Sequence, residues 1–238
     1  MNKLAFEVSL AAGALAVAAW LFLGTSAAAD KAVKLPPPAK DIVAVTDSTE
    51  NVVFAGGCFW GVQAVFQHTD GVLNAVSGYA GGQQNTATYE QTSSGSTGHA
   101  ESVQVTYDPK KISYGKLLQI YFSVAHDPTT LNRQGPDHGT QYRSVVFYRD
   151  TAQKDVVERY IAQLDAAKAF ADKIVTQVAP LAAFYPAESY HQDYATLNPN
   201  QLYIATFDLP KIANLKMLMP EIYRDKPVLV GSRVKGLP

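Results

Sequence analysis

A single cysteine, Cys58, stands in the 238 residues, inside the run Gly56-Gly57-Cys58-Phe59-Trp60-Gly61. An isolated thiol flanked by flexible backbone and two large aromatics fits a nucleophile better than a structural element. The thiolate is the reactive form, and its supply depends on surroundings. The two preceding glycines permit backbone angles that residues with a Cβ avoid. Three further stretches crowd titratable groups. Gly98-His99-Ala100-Glu101 brings a carboxylate to the mouth of a strand. Asp137-His138-Gly139-Thr140-Gln141-Tyr142-Arg143-Ser144 precedes another strand. Tyr185-Pro186-Ala187-Glu188-Ser189-Tyr190-His191-Gln192-Asp193-Tyr194 reads as a short helix, and Tyr89 lies in a polar loop. Each alone has a bland reading: a solvated strand end for Glu101, a satisfied surface histidine for His191, a half-buried strand residue for Tyr142. Around one thiol they form a set of proton donors and acceptors of graded acidity, as acid–base chemistry at a nucleophile requires.

Several elements must carry these groups. The apolar run 51–55 enters the cysteine as a buried strand, and Val62, Ala64, Val65 and Phe66 leave it at helical spacing over 58–68. Cys58 is therefore expected in a first helical turn, where unpaired N–H groups and the helix dipole lower a thiol pKa. Strands follow at 72–79, 101–107, 144–148 and 174–178. Ser113 caps a helix through Leu117, Leu118, Tyr121 and Phe122. Asp150 or Thr151 opens a long helix with Val156, Val157, Tyr160, Ile161 and Leu164 on one face. Residues 83–99 and 129–140 read as irregular. The central order strand–helix–strand–strand–helix–strand is the ferredoxin-like signature. The predicted fold is an α/β (α+β) two-layer sandwich, a mixed sheet with helices packed on it and loop-rich N- and C-terminal extensions.

The ends and the composition set bounds. Residues 1–29 carry Lys3, an apolar middle and Ala27-x-Ala29, the pattern of a signal peptide. The apolar run of about 14 residues falls short of the about 20 that a spanning helix needs. A retained N-terminal anchor is the alternative; in both cases an exported protein, periplasmic or secreted, is expected. Residues 30–49, with Pro36-Pro37-Pro38, read as a linker, 50–210 as the catalytic domain, and 211–238 as an extension without clear periodicity. A net charge of −1 gives no reason to expect nucleic acid or anionic membrane as partner. One cysteine excludes an internal disulfide and a cysteine zinc site, and the five histidines show no metal-ligand spacing, so no metal is expected.

Gly-Cys-Phe-Trp-Gly, Gly-Tyr-Ala-Gly-Gly, Gly-His-Ala-Glu, Tyr-Asp-Pro, Asp-His-Gly-Thr-Gln-Tyr-Arg-Ser and Tyr-His-Gln-Asp-Tyr occur in this order across residues 51–200. On these motifs the chain resembles the type A peptide methionine sulfoxide reductases. The resemblance implies reduction of the S-epimer of methionine sulfoxide, free or in proteins, as protein repair. By motif it implies Cys58 as nucleophile, with Phe59 and Trp60 as the pocket for the ε-methyl group. Glu101 becomes the acid that protonates the sulfoxide oxygen, and Tyr89 and Tyr142 its hydroxyl partners. Asp137 becomes a buried carboxylate that supports the thiol site, and to these residues we add His191 as a substrate-side residue. Many such proteins carry further cysteines after Tyr-His-Gln-Asp-Tyr. Here there are none, and Ile204 lies near where one is often found. The implied cycle leaves Cys58 as a sulfenic acid that an external thiol (thioredoxin, glutaredoxin, glutathione or similar) must reduce, with no bound cofactor. A monomer is the family habit.

Two rival readings remain from the residues. In a papain-like peptidase a cysteine near the mature N-terminus precedes a tryptophan, with His and Asn about 130–150 residues on. Cys58, His191 and Asn198 fit that spacing, but Phe59 intervenes and Glu101 and Asp137 have no task. A non-enzymatic binding module for methionine or its sulfoxide would leave Cys58 inert.

Overall fold

The computed structural model describes residues 32–42 and 48–230; the signal or anchor reading for 1–29 and the chain after 230 lie outside them. In chain order the strands are β1 (Glu50–Ala55), β2 (Val72–Ala80), β3 (Ala100–Tyr107), β4 (Arg133–Gln134), β5 (Asp137–His138), β6 (Val145–Tyr148), β7 (Gln177–Pro180) and β8 (Phe184–Pro186). The helices are α1 (Phe59–Gln67), α2 (Tyr89–Thr92), α3 (Tyr114–Ile120), α4 (Thr151–Ala166), α5 (Tyr194–Leu197) and α6 (Leu209–Leu218).

Six strands form one sheet in the order β7-β6-β1-β3-β2-β8, and β4 pairs with β5 separately. The inner four, β6-β1-β3-β2, are all antiparallel. This is the fourth-first-third-second order of a ferredoxin-like sheet. β7 extends it parallel to β6 and β8 antiparallel to β2, so the sheet is mixed. Alternation along β1 sorts the two faces. Val52 and Phe54 point into the main core, where Phe54 stacks on Phe66 of α1 at 5.2 Å and on Tyr121 at 4.7 Å. Val53 and Ala55 point the other way, into a small cluster with Val145 and Phe147 that Leu181 and Phe184 cover. Val156, Val157, Tyr160 and Leu164 of α4 complete the helical layer.

Local chemistry explains the element starts. The Ser113 hydroxyl accepts from Lys116 N at 3.1 Å, and the Asp150 carboxylate from Gln153 N at 2.8 Å, satisfying donors that a first turn leaves open. Other segments differ from expectation. The 83–99 stretch contains a 3-10 turn, Gln84–Thr86, and α2. The fifth strand starts at Gln177, after Val175 N donates to the Pro128 carbonyl. Residues 184–186 add a strand, β8, and the helical part narrows to the 3-10 turn Ser189–His191 and α5.

The two ends depart furthest. Residues 32–42, read as linker, are seated on the domain. Leu35 is buried, and the carbonyls of Leu35, Pro36 and Pro37 accept from Gln119 Nε2, Tyr160 OH and Gln163 Nε2. Polyproline-like backbone has no internal hydrogen bonds, so its carbonyls are free for such straps. After residue 201 the chain is helical as far as Leu218: a π turn, Ile204–Asp208, runs into α6 across the expected boundary at 210, and Leu215 is fully buried. Among the described residues no helix is long and apolar enough to cross a membrane.

Candidate active site

Cys58 is the residue before α1, at the tip of the strand–turn–helix that the sequence predicts. The turn is built tightly. Gly57 has φ +85°, and a Cβ on it would meet the Gln134 side chain; one on Gly56 would meet His126. Below the turn lies a buried polar network. Tyr121 OH donates to the Ala55 carbonyl at 2.6 Å, His126 Nε2 lies 2.7 Å from Ser144 Oγ, and Ser144 Oγ lies 2.9 Å from Tyr121 OH. Burial pushes the His126 pKa down to about 3, so it is a neutral structural group. Gln134 fixes the other side, with Nε2 donating to the Asp127 carbonyl at 2.6 Å and Oε1 accepting from Asp127 N at 3.0 Å.

Cys58 is 8% exposed. Its pKa is raised well above the usual thiol value, contrary to the lowering expected from a helix N-terminus. Burial is the largest cause, followed by the charges of Glu101 and Asp208; the Trp60 N–H acts the other way but loses, and Asp137 adds to the rise. Three carboxylates in a dry site outweigh one N–H and a partial dipole charge. The resting thiol is protonated.

Glu101 sits inside β3, opposite Tyr79, and is 3% exposed. Its Oε2 accepts from Phe59 N at 3.0 Å, one residue from Cys58. Burial pushes its pKa up to about 8; the Phe59 N–H opposes, and Asp137 and Asp208 add to the rise. Arg143 ties this strand mouth to the polar 137–144 run by donating to the carbonyls of Gly98, His99 and Thr140 at 2.8–3.1 Å.

The aromatic wall is continuous. Trp60 stacks on Tyr194 at 4.0 Å and lies edge-on to Tyr203 at 6.2 Å. His191 lies 5.1 Å from the Phe59 ring and 4.4 Å from Tyr89. The Trp60 indole N–H donates to His191 Nδ1 at 3.2 Å, which places the imidazole proton on Nε2. His191 makes no hydrogen bond to Cys58, and burial lowers its pKa, so it is not placed to take the thiol proton as a peptidase histidine must. Tyr89 is held by Glu188, whose Oε1 accepts from Tyr89 N at 3.0 Å and Oε2 from Tyr79 OH at 2.8 Å. Burial would raise the Glu188 pKa, but these donors outweigh it and keep it low. Burial raises Tyr89 and Tyr142, and both feel the charges of Glu101 and Cys58. Asp137, on β5, accepts a short hydrogen bond from Tyr203 OH, and burial raises its pKa.

The structure thus gathers Cys58, Phe59, Trp60, Tyr89, Glu101, Tyr142, Asp137 and His191 around one site. Sequence reasoning missed Tyr203, Asp208, Lys211 and Gln134. The signal for two of them was an Asp and a Lys three apart, Asp208 and Lys211, in an otherwise apolar run. In Tyr-His-Gln-Asp-Tyr the middle residues are clamps. Gln192 Oε1 accepts from Gln63 Nε2 and Ser77 N, and Asp193 Oδ1 accepts from Gln67 Nε2. Among the described residues no cluster of three or more His, Cys, Asp or Glu could hold a metal ion.

A family model described as peptide methionine sulfoxide reductase matches residues 50–220. A peptide methionine sulfoxide reductase of Mesorhizobium japonicum is 60% identical over 184 residues, 77% of this chain and 94% of that one. One of Synechocystis is 48% identical over 195 residues, 81% of this chain and 89% of that one. Among solved structures, Mxr1 of Saccharomyces cerevisiae in reduced form is similar, with TM-score 0.61, 32% identity and coverage of 71% of this chain and 96% of that one. Methionine sulfoxide reductase A of Corynebacterium diphtheriae gives TM-score 0.56 and 34% identity over 72% of this chain and 86% of that one.

Proposed function

The chain belongs to the peptide methionine sulfoxide reductase family, and from that premise we propose that Cys58 attacks the sulfur of an S-epimeric methionine sulfoxide while Glu101 protonates its oxygen. The enzyme is an oxidoreductase that returns methionine sulfoxide to methionine, in protein repair. The observation that carries the residue roles is the buried Glu101 carboxyl at about 8, bonded to Phe59 N beside the only thiol. A sulfoxide sulfur is electrophilic only when its oxygen can leave, and an acid still protonated near neutral pH supplies that proton. Tyr89 and Tyr142 are neutral hydroxyls that donate to the developing charge on oxygen. Phe59 and Trp60 receive the methyl group, which selects one epimer because the sulfur is chiral.

Oxygen transfer leaves Cys58 as a sulfenic acid and releases the thioether. With no second cysteine in the chain, an external dithiol or glutathione-type thiol regenerates it through a mixed disulfide. The signal-like residues 1–29 support an exported enzyme, and sequencing the N-terminus of the mature protein tests that placement. The function is tested with each epimer of a methionine sulfoxide peptide and dithiothreitol, using wild type and Cys58→Ser. Reduction of the S-epimer alone, abolished in the variant, is expected. Conversion of neither epimer by a folded wild type overturns the reading.

A further inference from the structure

Cys58 has a second side. At the Tyr203 end of the aromatic wall, a narrow cleft is lined by Cys58, Gln134, Asp137, Tyr203, Phe207 and Lys211. Lys211 is the cation on that lining among the described residues. It is 5% exposed, and its Nζ lies 3.7 Å from Oδ1 of Asp208, which is wholly buried. At that distance the pair is electrostatic rather than hydrogen-bonded. The π turn Ile204–Asp208 aims the carboxylate at the first turns of α1, where Gly61 leaves room. A Cβ on Gly61 would run into the Asp208 carboxylate and come within 3.2 Å of the Lys211 stem. Lysine is almost never buried without charges that hold it there.

The charges around the pair are all local. Facing Cys58 are Glu101 from β3, Asp208 from the π turn and Asp137 from β5, each opposing an anionic sulfur. Tyr89, Tyr142 and Tyr203 also sense the sulfur's charge. Lys211 faces Asp208, Asp137 and His126. Resting on the reductase reading, we propose that Lys211 is a positioning residue of the thiol site: its charge, held by Asp208, offsets the carboxylates on the cleft side, so that Cys58 can carry negative charge both when it attacks and when it is expelled during recycling.

Expulsion matters because this chain has no other cysteine to share the task. A first reductant thiol attacks the sulfenic sulfur; an S–S bond forms, the S–O bond breaks, and the hydroxyl leaves as water with that thiol's proton. A second thiol attacks the reductant's sulfur in the mixed disulfide. The bond to Cys58 breaks, the reductant departs as its own disulfide, and Cys58 leaves as a thiolate that takes up the second thiol's proton. Two electrons pass from the reductant thiols to Cys58. The second step is faster when the leaving sulfur is more acidic.

Iodoacetamide alkylation of Cys58 between about pH 6 and about pH 10 tests this in wild type, Lys211→Gln, Lys211→Arg and Asp208→Asn, with circular dichroism to confirm folding. The rate, which below the thiol pKa is proportional to the thiolate fraction, should be about tenfold lower in Lys211→Gln at each pH and higher in Asp208→Asn. Lys211→Arg should stay near wild type. Opposite shifts from Asp208 in the π turn and Lys211 in the first turn of α6 are not produced by loosening the fold. Shifts in the same direction, or none in folded variants, overturn the proposal. If Asp208→Asn does not fold, the other pair decides: rescue by arginine supports the charge role and its failure overturns it. Alkylation reads the thiol directly, so this outcome is separate from whether wild type reduces any sulfoxide.

Discussion

Replacing Glu101 by glutamine should inactivate the enzyme while making the fold more stable above neutral pH. The Glu101 carboxyl is buried, with a pKa of about 8 against an ordinary value of 4.5. At pH 7 it is about nine-tenths protonated, so glutamine matches its shape, its neutrality and its ability to accept from Phe59 N. Glutamine has no proton to give, however. Losing the group that meets developing charge on oxygen should lower kcat by about 10²–10³-fold, or about 3–4 kcal/mol, as for an oxyanion-hole donor. The stability effect follows from linkage. The folded pKa is raised, so above pH 4.5 the unfolded chain holds fewer protons at this site than the native one, and stability falls as pH rises. The loss is absent below the unfolded pKa and complete once pH passes the folded one. A gap of 3.5 units at about 1.36 kcal/mol each makes it about 5 kcal/mol at most, and about 3 kcal/mol at pH 7. Urea unfolding of both proteins from about pH 5 to about pH 9 isolates the term as a difference, because every other group is shared. The variant should gain on wild type steadily up to about pH 8 and then hold level. A flat difference would show that Glu101 is ionised in the fold, and the proton-donor role would go with it.

Three further outcomes follow from the same geometry. Tyr203→Phe removes the donor to Asp137 and should destabilise the protein by about 1.5–3 kcal/mol, with kcat falling more than KM rises; thermal unfolding and steady-state kinetics check it. His191→Ala should keep substantial reductase activity and chiefly raise KM, because it buttresses Trp60 and does not contact the thiol; inactivation as deep as that of Cys58→Ser would revive the peptidase arrangement. Gly57→Ala forces a Cβ into a φ of +85° and against Gln134, and should lower the melting temperature by an amount corresponding to about 1–3 kcal/mol, together with activity.

Local patterns carried much of the fold and failed where tertiary partners decide. β1 through α1 was legible because the glycine turn separates a continuous apolar run from apolar residues at helical spacing. Ser113 and Asp150 announced their helices by cap chemistry. The C-terminal helix was not legible: the apolar residues before and within it are interrupted by Asp208 and Lys211, which are buried against each other, Lys211 lining a cleft that Cys58 also lines. The Pro-rich 32–42 stretch read as a linker because nothing in its sequence announces the side chains of Gln119, Tyr160 and Gln163 that hold its carbonyls. The site was legible as motifs, and the motifs located Cys58, Glu101, Asp137 and His191. The protonation of Cys58 was not, since a rule about helix termini says nothing of how deeply the thiol is buried, nor of three carboxylates arriving from β3, β5 and the π turn.

That correction makes the chemistry more consistent. The proposed half-reaction converts a thiol and a sulfoxide into a sulfenic acid and a thioether, so the thiol proton ends on the oxygen and none is gained or lost. A resting pair of neutral thiol and neutral carboxylic acid already holds the right inventory. On the proposed roles, Glu101 gives its proton to the sulfoxide oxygen as the sulfur of Cys58 advances, and the proton that Cys58 sheds returns it to the acid form. A preformed thiolate beside an ionised Glu101 would lack the proton the oxygen needs and would add repulsion in a dry pocket. The same burial limits idle oxidation, because the thiolate is the species that oxidants attack. Reactivity is therefore tied to the arrival of a substrate whose oxygen can accept the Glu101 proton. Activity should decline as pH rises through about 8, where Glu101 ionises, although a simple thiolate enzyme would gain activity there.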